Sequence, residues 1–533
     1  MGRKPLLYPY MATYAAVDIG SNSVRLLVAE VLPGEAPRTL AAEREVTRLG
    51  ESVFRTGVIS PEAMGLVCGV LVRMAGLLSR FDIAGRRAVA TAAVRDASNQ
   101  REFLENASAA LGVPVEVISG QEEARLIHLG VQSVWPHPLG RVLVVDVGGG
   151  SAELILSDNG RLGAAFSRQI GALRLTELFL KHDPPLAVEL HQLDEYVHEK
   201  IAAAAARIGR GPWQRAIATS ATAAALVSAI NRIPRSRREE ADRRRATAAQ
   251  VRRFLHQVSV KDLAARRRIT GIGPRRAEII IAGAAVFRRV IEDFGLPAIY
   301  YSTAGLRNGI IADLLERGVG RELARLSREQ RRIVEAMAQR FGVSVPHARK
   351  VARLAATLFE SLEPLHRLPG DCGKLLEAAA YLHDVGHYIS DTAHHKHSAY
   401  IVDNSDLPAF TAQEKKLIAM LCRYHRKSMP APRHEAFQEL SADEQRVVLL
   451  LAPLLRLADS LDRSHQQLIE RMDCQLRDGN VIVYLSSTAD TDLETWAGER
   501  AAEIFQQVYE RPLALVRLRP DAFAPGGRNA GQR

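Results

Sequence analysis

Apolar residues from Ala15 to Ile19 lead into a small polar stretch, Gly20-Ser21-Asn22-Ser23, and a second apolar run follows from Val24 to Val28. Runs of that length, separated by turn-forming residues, predict strand, tight turn, strand. The theme returns further on, where Val142-Leu143-Val144-Val145-Asp146-Val147 runs into Gly148-Gly149-Gly150-Ser151 and then Glu153-Leu154-Ile155-Leu156. Between the two, helical periodicity spans 61–81, with Pro61 in the first turn behind Ser60, and 98–111, while 87–91 reads as a strand. A duplicated strand-turn-strand unit with interleaved helices predicts an α/β fold of two lobes, 12–136 and 137–316, facing a cleft.

Residues 232–245 are charged and nearly free of apolar side chains, which predicts a solvated loop or helix edge. Beyond 326 the pattern becomes helical (329–341, 346–361, 375–383, 412–424, 442–460) and defines an all-helical domain over 325–465. A strand at 481–485, a helix at 499–509 and a strand at 513–518 predict a small α+β part over 466–520, and 521–533 reads as a disordered tail.

Composition narrows the classes that remain. At 533 residues the chain exceeds what one core can organise. No uninterrupted apolar run reaches the roughly 18 residues of a membrane span, so no membrane partner is expected. The start, Met1-Gly2-Arg3-Lys4-Pro5, lacks an apolar leader, and Leu6 stands where a myristoylation motif wants Ser or Thr; a cytoplasmic protein is expected, with Met11 an alternative start. Cys68, Cys372, Cys422 and Cys474 form no Cys-x-x-Cys pair and read as reduced thiols. The 71 Lys and Arg against 60 Asp and Glu leave a net charge of +11, a field that gathers polyanions without choosing among nucleic acid, polyphosphate and anionic lipid.

The two turns carry the candidate chemistry. Asp18-x-Gly20-Ser21 and Asp146-x-Gly148-Gly149-Gly150-Ser151 each set a carboxylate at a strand end before small residues whose amides and hydroxyls can approach a phosphate. Gly-Gly-Gly-Ser in isolation is a flexible linker, but here it joins two strands. Gly271-Ile272-Gly273-Pro274-Arg275-Arg276-Ala277 has the look of a hairpin that holds a DNA phosphate, the lesser reading of a stretch that also fits a turn before the helix 277–294.

Together these motifs resemble the exopolyphosphatase and guanosine pentaphosphate phosphohydrolase family. The resemblance rests on Ala16-Val17-Asp18-Ile19-Gly20-Ser21-Asn22-Ser23, Thr91-Ala92-Ala93-Val94-Arg95, Ile118-Ser119-Gly120-Gln121-Glu122-Glu123-Ala124-Arg125-Leu126, Val145 to Glu153, and Ser302-Thr303-Ala304-Gly305-Leu306-Arg307-Asn308-Gly309, and it continues through His397-Ser398-Ala399-Tyr400-Ile401 and Arg423 to Lys427. It implies two ribonuclease-H-like, actin-like lobes followed by a helical HD-type domain. It implies Glu123 as the general base on the attacking water, although Gln121-Glu122-Glu123 alone also reads as an acidic first helical turn. It implies Arg95 against charge on the transferred group, Asp146 and Glu153 with Asp18 around Mg²⁺, and Asn22, Ser23, Gly148, Gly149, Gly150 and Ser151 on phosphate oxygens; Asp18 also fits a turn cap.

The implied substrate is inorganic polyphosphate or guanosine pentaphosphate, handled by a homodimer, with nucleic acid not expected as a partner. An actin-like kinase and a non-catalytic polyanion binder are the competing classes. Ala218-Thr219-Ser220-Ala221-Thr222 departs from the family's glycine-containing loop, which weakens an adenosine site. In the helical domain, His347, the pair His383-Asp384, and Asp459 follow the spacing of HD-type metal phosphohydrolases and predict a second divalent metal site, with Asp462 competing as last ligand. His397 and His425 are candidates for a further ion there, while His394, His395 and His397 as a group read as a polar loop.

Overall fold

A computed structural model describes residues 12–32, 37–135, 140–316, 324–477 and 479–518. The expected tail 521–533 and the alternative start at Met11 lie outside the described residues. The chain divides into two compact units, 1–316 and 317–533.

The first unit contains two sheets. β1 (Ala12–Ile19), β2 (Val24–Val31), β3 (Arg38–Glu45), β4 (Ile83–Ala90) and β5 (Val115–Val117) are ordered β3-β2-β1-β4-β5. The first three strands meander antiparallel, and β4 and β5 then add in parallel on the other side of β1. β6 (Arg141–Val147), β7 (Ala152–Asp158), β8 (Arg161–Arg168), β9 (Trp213–Thr219), β10 (Arg245–Thr247) and β11 (Ala298–Tyr301) repeat the plan as β10-β11-β9-β6-β7-β8, with β10 as an extra antiparallel edge. This duplicated order, three antiparallel strands extended in parallel, is the ribonuclease-H-like topology of actin-like lobes.

Each sheet is buried by helices whose apolar residues recur at helical spacing. In the first lobe the helix Pro61–Leu78 sets Val67, Val70, Leu71 and Met74 against Val17, Ile19 and Leu26. By length and its mean hydropathy of 1.5 this helix could cross a membrane, yet its apolar stripe is part of the lobe core. Ser60 caps it, accepting from the Ala63 amide at 3.2 Å. In the second lobe Ile281, Ala284 and Phe287 of the helix Ile280–Phe294 pack with Leu143, Val145 and Val147. The 271–277 stretch is consumed by this packing: a Cβ at Gly271, at φ +90°, would meet the backbone of Ser228 and Ala229, and Ile272, Arg276 and Ala277 are buried.

The helices Gly120–Val134 and Leu306–Glu316 cross with almost no side-chain space between them. A Cβ on Gly130 would strike the Gly305 carbonyl, and one on Gly309 would strike that of Leu126. Beside the crossing, Arg87 and Arg125 are buried with Glu122 and Asp313: Arg87 donates to Asp313 at 2.9 Å, and Arg125 donates to Glu122 at 2.8 Å and to Asp313 at 2.6 Å. Removing one member would leave buried charge uncompensated. Crossing and network together fix the helix that carries Glu123.

The second unit packs the helices Arg328–Arg340, Val345–Ser361, Cys372–Leu382, His394–Asn404, Ala412–Tyr424 and Ala442–Ser460 around one core. Capping boxes at Ser327/Gln330, Thr411/Glu414 and Ser441/Glu444 set three of their starts. β12 (Arg471–Arg477), β13 (Asn480–Ser486) and β14 (Leu513–Leu518) form a small sheet with the helix Asp492–Tyr509, and Val481, Val483, Leu485 and Phe505 enter the same core as Leu451 and Leu454. The 394–397 stretch, read from the sequence as a polar loop, instead opens a helix with His394 and His395 buried.

Replacing Gly309 by Ala adds one methyl where no space exists, and should destabilise the first unit by about 1–3 kcal/mol or more. Urea unfolding measures this; an unchanged midpoint would show that the two helices can move apart freely.

Candidate active site

The two strand-turn-strand units close on one another. Gly20 donates to the Ser23 carbonyl at 3.1 Å and Gly148 to that of Ser151 at 3.0 Å, so both turns are closed by the same bond. A Cβ at Gly149 would lie 3.1 Å from that of Asn22, and one at Gly150 would lie 2.6 Å from the Ser21 hydroxyl. The glycines therefore let the loops approach each other as well as a ligand. Asn22, Ser23, Gly148, Gly149, Gly150 and Ser151 all line a cavity of about 210 Å³ between the lobes, together with Asp18, Glu123 and Asp146.

Strand register gathers the carboxylates. Asp146 on β6 lies directly opposite Glu153 on β7, so both project from the same face. Asp18 lies opposite Arg25 across β1 and β2. Glu123 enters from the helix Gly120–Val134, whose cap Ser119 accepts from the Glu122 amide at 3.1 Å. Its Oε2 is buried and takes part in no hydrogen bond; the nearest cation is Arg95, at 3.5 Å. Arg95, read from the sequence as facing the transferred group, also donates to the Ile118 carbonyl at 2.7 Å and so stands against Glu123.

Burial, then the neighbouring Asp18 and Asp146, push the Glu123 carboxyl up to about 7 against the opposing pull of Arg95. Burial, with Asp18 adding to it, lifts Asp146 to about 7 although Arg25 opposes. Glu153 is raised well above the carboxylate range by burial and by Glu123 and Asp146, even though Ser167 donates to it at 2.8 Å. Asp18 is raised by burial despite Arg25 and Arg307. Four crowded carboxylates whose charge the nearby arginines do not offset are a donor set for a hard divalent cation, and Mg²⁺ fits it.

The other wall is positive. Arg44, Arg238, Arg276 and Arg307 line the cavity. Burial and mutual repulsion lower Arg44 to about 9 and Arg307 to about 10, and lower Arg276 further. Arg276 donates to Thr222 at 3.3 Å and Arg307 to the Leu26 carbonyl at 2.8 Å, with no carboxylate partner shown for either among the described residues. Such a wall is built for a polyanion. Arg238 belongs to the stretch read from the sequence as solvated; it is half-buried in the cavity instead. Arg44, Arg238 and Arg276 escape sequence reading because nothing local distinguishes them from surface arginines. In the altered 218–222 loop, Ser220 adopts φ +94°, a left-handed conformation without glycine, and opens the helix Ser220–Ile230 at the cavity.

In the second unit the predicted ligands converge. His347 Nε2 and His383 Nε2 lie 3.4 and 3.3 Å from Asp459 Oδ1, and 3.9 and 3.5 Å from Asp384 Oδ2. Both nitrogens are buried and form no hydrogen bond. Asp462, considered as an alternative last ligand, instead holds His347 Nδ1 at 2.8 Å from behind. Burial opposes charge on His383, yet Asp384 and Asp459 raise it to about 9. Imidazole nitrogens mixed with carboxylates fit a divalent transition metal. His425 lies against this cluster and against His394, which sequence reading set aside; none of these contacts involves His397.

Paired phosphate loops between ribonuclease-H-like lobes, with acids on one wall and arginines on the other, define a hydrolase of the actin-like class that acts on phosphate groups. A model of the Ppx/GppA phosphatase family matches residues 27–318, and one of domain III of the same phosphatases matches 330–496. The chain belongs to the Ppx/GppA phosphatase family. Among solved structures, a family member from Aquifex aeolicus matches with TM-score 0.52 and 28% identity, over 58% of this chain and 100% of that one. An exopolyphosphatase-like protein matches with TM-score 0.54 and 30% identity over 57% and 98%. An exopolyphosphatase from Cytophaga hutchinsonii matches with TM-score 0.54 and 26% identity over 58% and 99%.

The raised carboxyls set a pH dependence. Acids near 7 in the folded chain, against roughly 4 unfolded, bind protons preferentially in the folded state between those values. Without divalent ions their contribution to stability is therefore present at low pH and lost as pH rises through about 7. Mg²⁺ replaces those protons, so the rise in Tm on adding Mg²⁺ should grow between pH 5.5 and 8. Scanning calorimetry with and without Mg²⁺ checks this; a rise in Tm independent of pH would contradict it.

Proposed function

We propose that this chain is an exopolyphosphatase that removes terminal phosphate from inorganic polyphosphate. The observation that carries the reading is Glu123: a buried carboxyl with an uncommitted oxygen, lifted to about 7 by burial and by Asp18 and Asp146, beside the paired phosphate loops. A base with that value is matched to neutral pH. Glu123 takes a proton from water as its oxygen attacks the terminal phosphorus; the anhydride P–O bond breaks, and the shortened chain leaves. Arg95 orients the Glu123 carboxylate and adds positive charge beside it. Asn22, Ser23, Gly148, Gly149, Gly150 and Ser151 hold phosphate oxygens, and the arginine wall holds the phosphates behind them.

Asp146 and Glu153, with Asp18, would hold Mg²⁺, which supplies charge neutralisation to the transferred phosphoryl group. Guanosine pentaphosphate presents the same terminal anhydride to the same loops and is the second reading of the same cleft. A kinase has less support, since nothing among the residues lining the cavity favours adenosine. In the helical unit we assign a separate divalent ion to His347, His383, Asp384 and Asp459.

Glu123→Gln keeps the shape and removes the base. Turnover on polyphosphate should fall by roughly 10² to 10⁴-fold with binding nearly intact; turnover close to wild type would remove Glu123 from the mechanism. Binding of long polyphosphate should exceed that of short and weaken more steeply with salt, since each added phosphate in reach of the arginines displaces counterions, as for nucleic acids. Affinity independent of both length and salt would show that the positive wall does not hold the chain.

A further inference from the structure

Asp384 faces two sets of histidines with its two oxygens. Oδ2 is turned to His347 and His383 as described above, whereas Oδ1 lies 3.6 Å from His387 Nε2, 3.5 Å from His394 Nε2 and 3.9 Å from His425 Nε2. His394 Nε2 and His425 Nε2 are themselves 3.2 Å apart. Ligands about 2.1 Å from a tetrahedral ion stand about 3.4 Å from one another, so each set has the spacing of one coordination sphere. The rings are held from behind: His383 Nδ1 lies 2.9 Å from the Ala380 carbonyl, His425 Nδ1 2.7 Å from that of Cys422, His347 Nδ1 2.8 Å from Asp462, and His387 Nδ1 2.6 Å from Asp391. Outer partners of this kind fix the tautomer so that Nε2 points inward as a lone-pair donor. That two of the inward nitrogens are buried and form no hydrogen bond is the independent sign that something is to be bound there.

We propose that the helical unit holds two divalent transition-metal ions bridged by the Asp384 carboxylate, and that this centre hydrolyses a phosphate monoester. The first ion takes His347, His383, Asp384 and Asp459; the second takes His387, His394, His425 and the other oxygen of Asp384. The inference rests on the first ion assigned above. Ions bridged by one carboxylate stand roughly 3.5–4 Å apart, a separation that lets one phosphoryl group span both. Asp384 and Asp459 keep 15% and 19% of their side-chain surface exposed and His387 keeps 41%, so the centre is open on the carboxylate side. Arg426 places a guanidinium nitrogen 3.0 Å from His394, a fixed positive charge beside the second ion for a dianionic phosphate. Water attacks phosphorus, the ester P–O bond breaks, one proton of the water leaves on the alcohol and the other stays on the phosphate.

The full chain is stripped with a chelator, reloaded with Mn²⁺ under excess Mg²⁺ to keep the carboxylate cleft filled, desalted, and its manganese counted. Two ions per chain, with the electron paramagnetic resonance signal of a coupled pair, are expected, and His394→Ala or the exposed His387→Asn should leave one ion with an isolated signal. A single ion in the unsubstituted chain overturns the bridge while sparing the first ion; none overturns both. Hydrolysis of p-nitrophenyl phosphate by the Mn²⁺-loaded Glu123→Gln chain should persist and fall at least about tenfold on adding His387→Asn. A chain carrying both ions with no such turnover overturns the hydrolytic assignment.

Discussion

Crowded negative charge is the constraint on which the first unit depends. Asp18, Glu123, Asp146 and Glu153 come from different elements and are buried together, and burial raises each of them toward the neutral form. Folding alone gives no reason to bring them together, because the arginines nearby do not offset them. The scaffold enforces the arrangement through features that need no ligand: the β6/β7 register that pairs Asp146 with Glu153, the glycine-lined crossing of two helices, and the Arg87, Arg125, Glu122 and Asp313 network beside it. The unmet charge is then available for a cation, a proton from water and a phosphate chain.

The positive wall is the counterpart of that cluster. Arg44, Arg276 and Arg307 are buried close enough to lower one another's proton affinity. Acids on one side and arginines on the other make a gradient along which a polyanion can be held with its end at Glu123 and its body against the arginines. The helical unit solves a different problem with nitrogen donors, where Asp462 and backbone carbonyls fix the rings and so select a softer ion than Mg²⁺.

Much of this was legible in the sequence, and the reason is local. A carboxylate at a strand end before a glycine turn is a contiguous signal, and its repetition at 146 disclosed both lobes and both phosphate loops. His347, His383-Asp384 and Asp459 were readable because their spacing carries meaning on helices. What escaped depends on tertiary approach: Arg44, Arg238 and Arg276 lie far apart in the chain and meet only at the cleft, and His394 looked like part of a polar run until its helix turned it toward His425. Arg95 sits in a legible motif, but only the structure shows that its partner is Glu123.

The central claim is that Glu123 activates water at a phosphate end held by the paired loops beside a cation on Asp146 and Glu153. A crystal structure of the Glu123→Gln chain with tripolyphosphate and Mn²⁺ tests it most directly, because anomalous scattering locates the manganese and the substitution preserves the substrate. The account predicts manganese against Asp146 and Glu153, a terminal phosphate on Asn22, Ser23 and Gly148 to Ser151, and a water between its phosphorus and residue 123. Tripolyphosphate lying with its end away from residue 123, or a cleft without manganese, would contradict it.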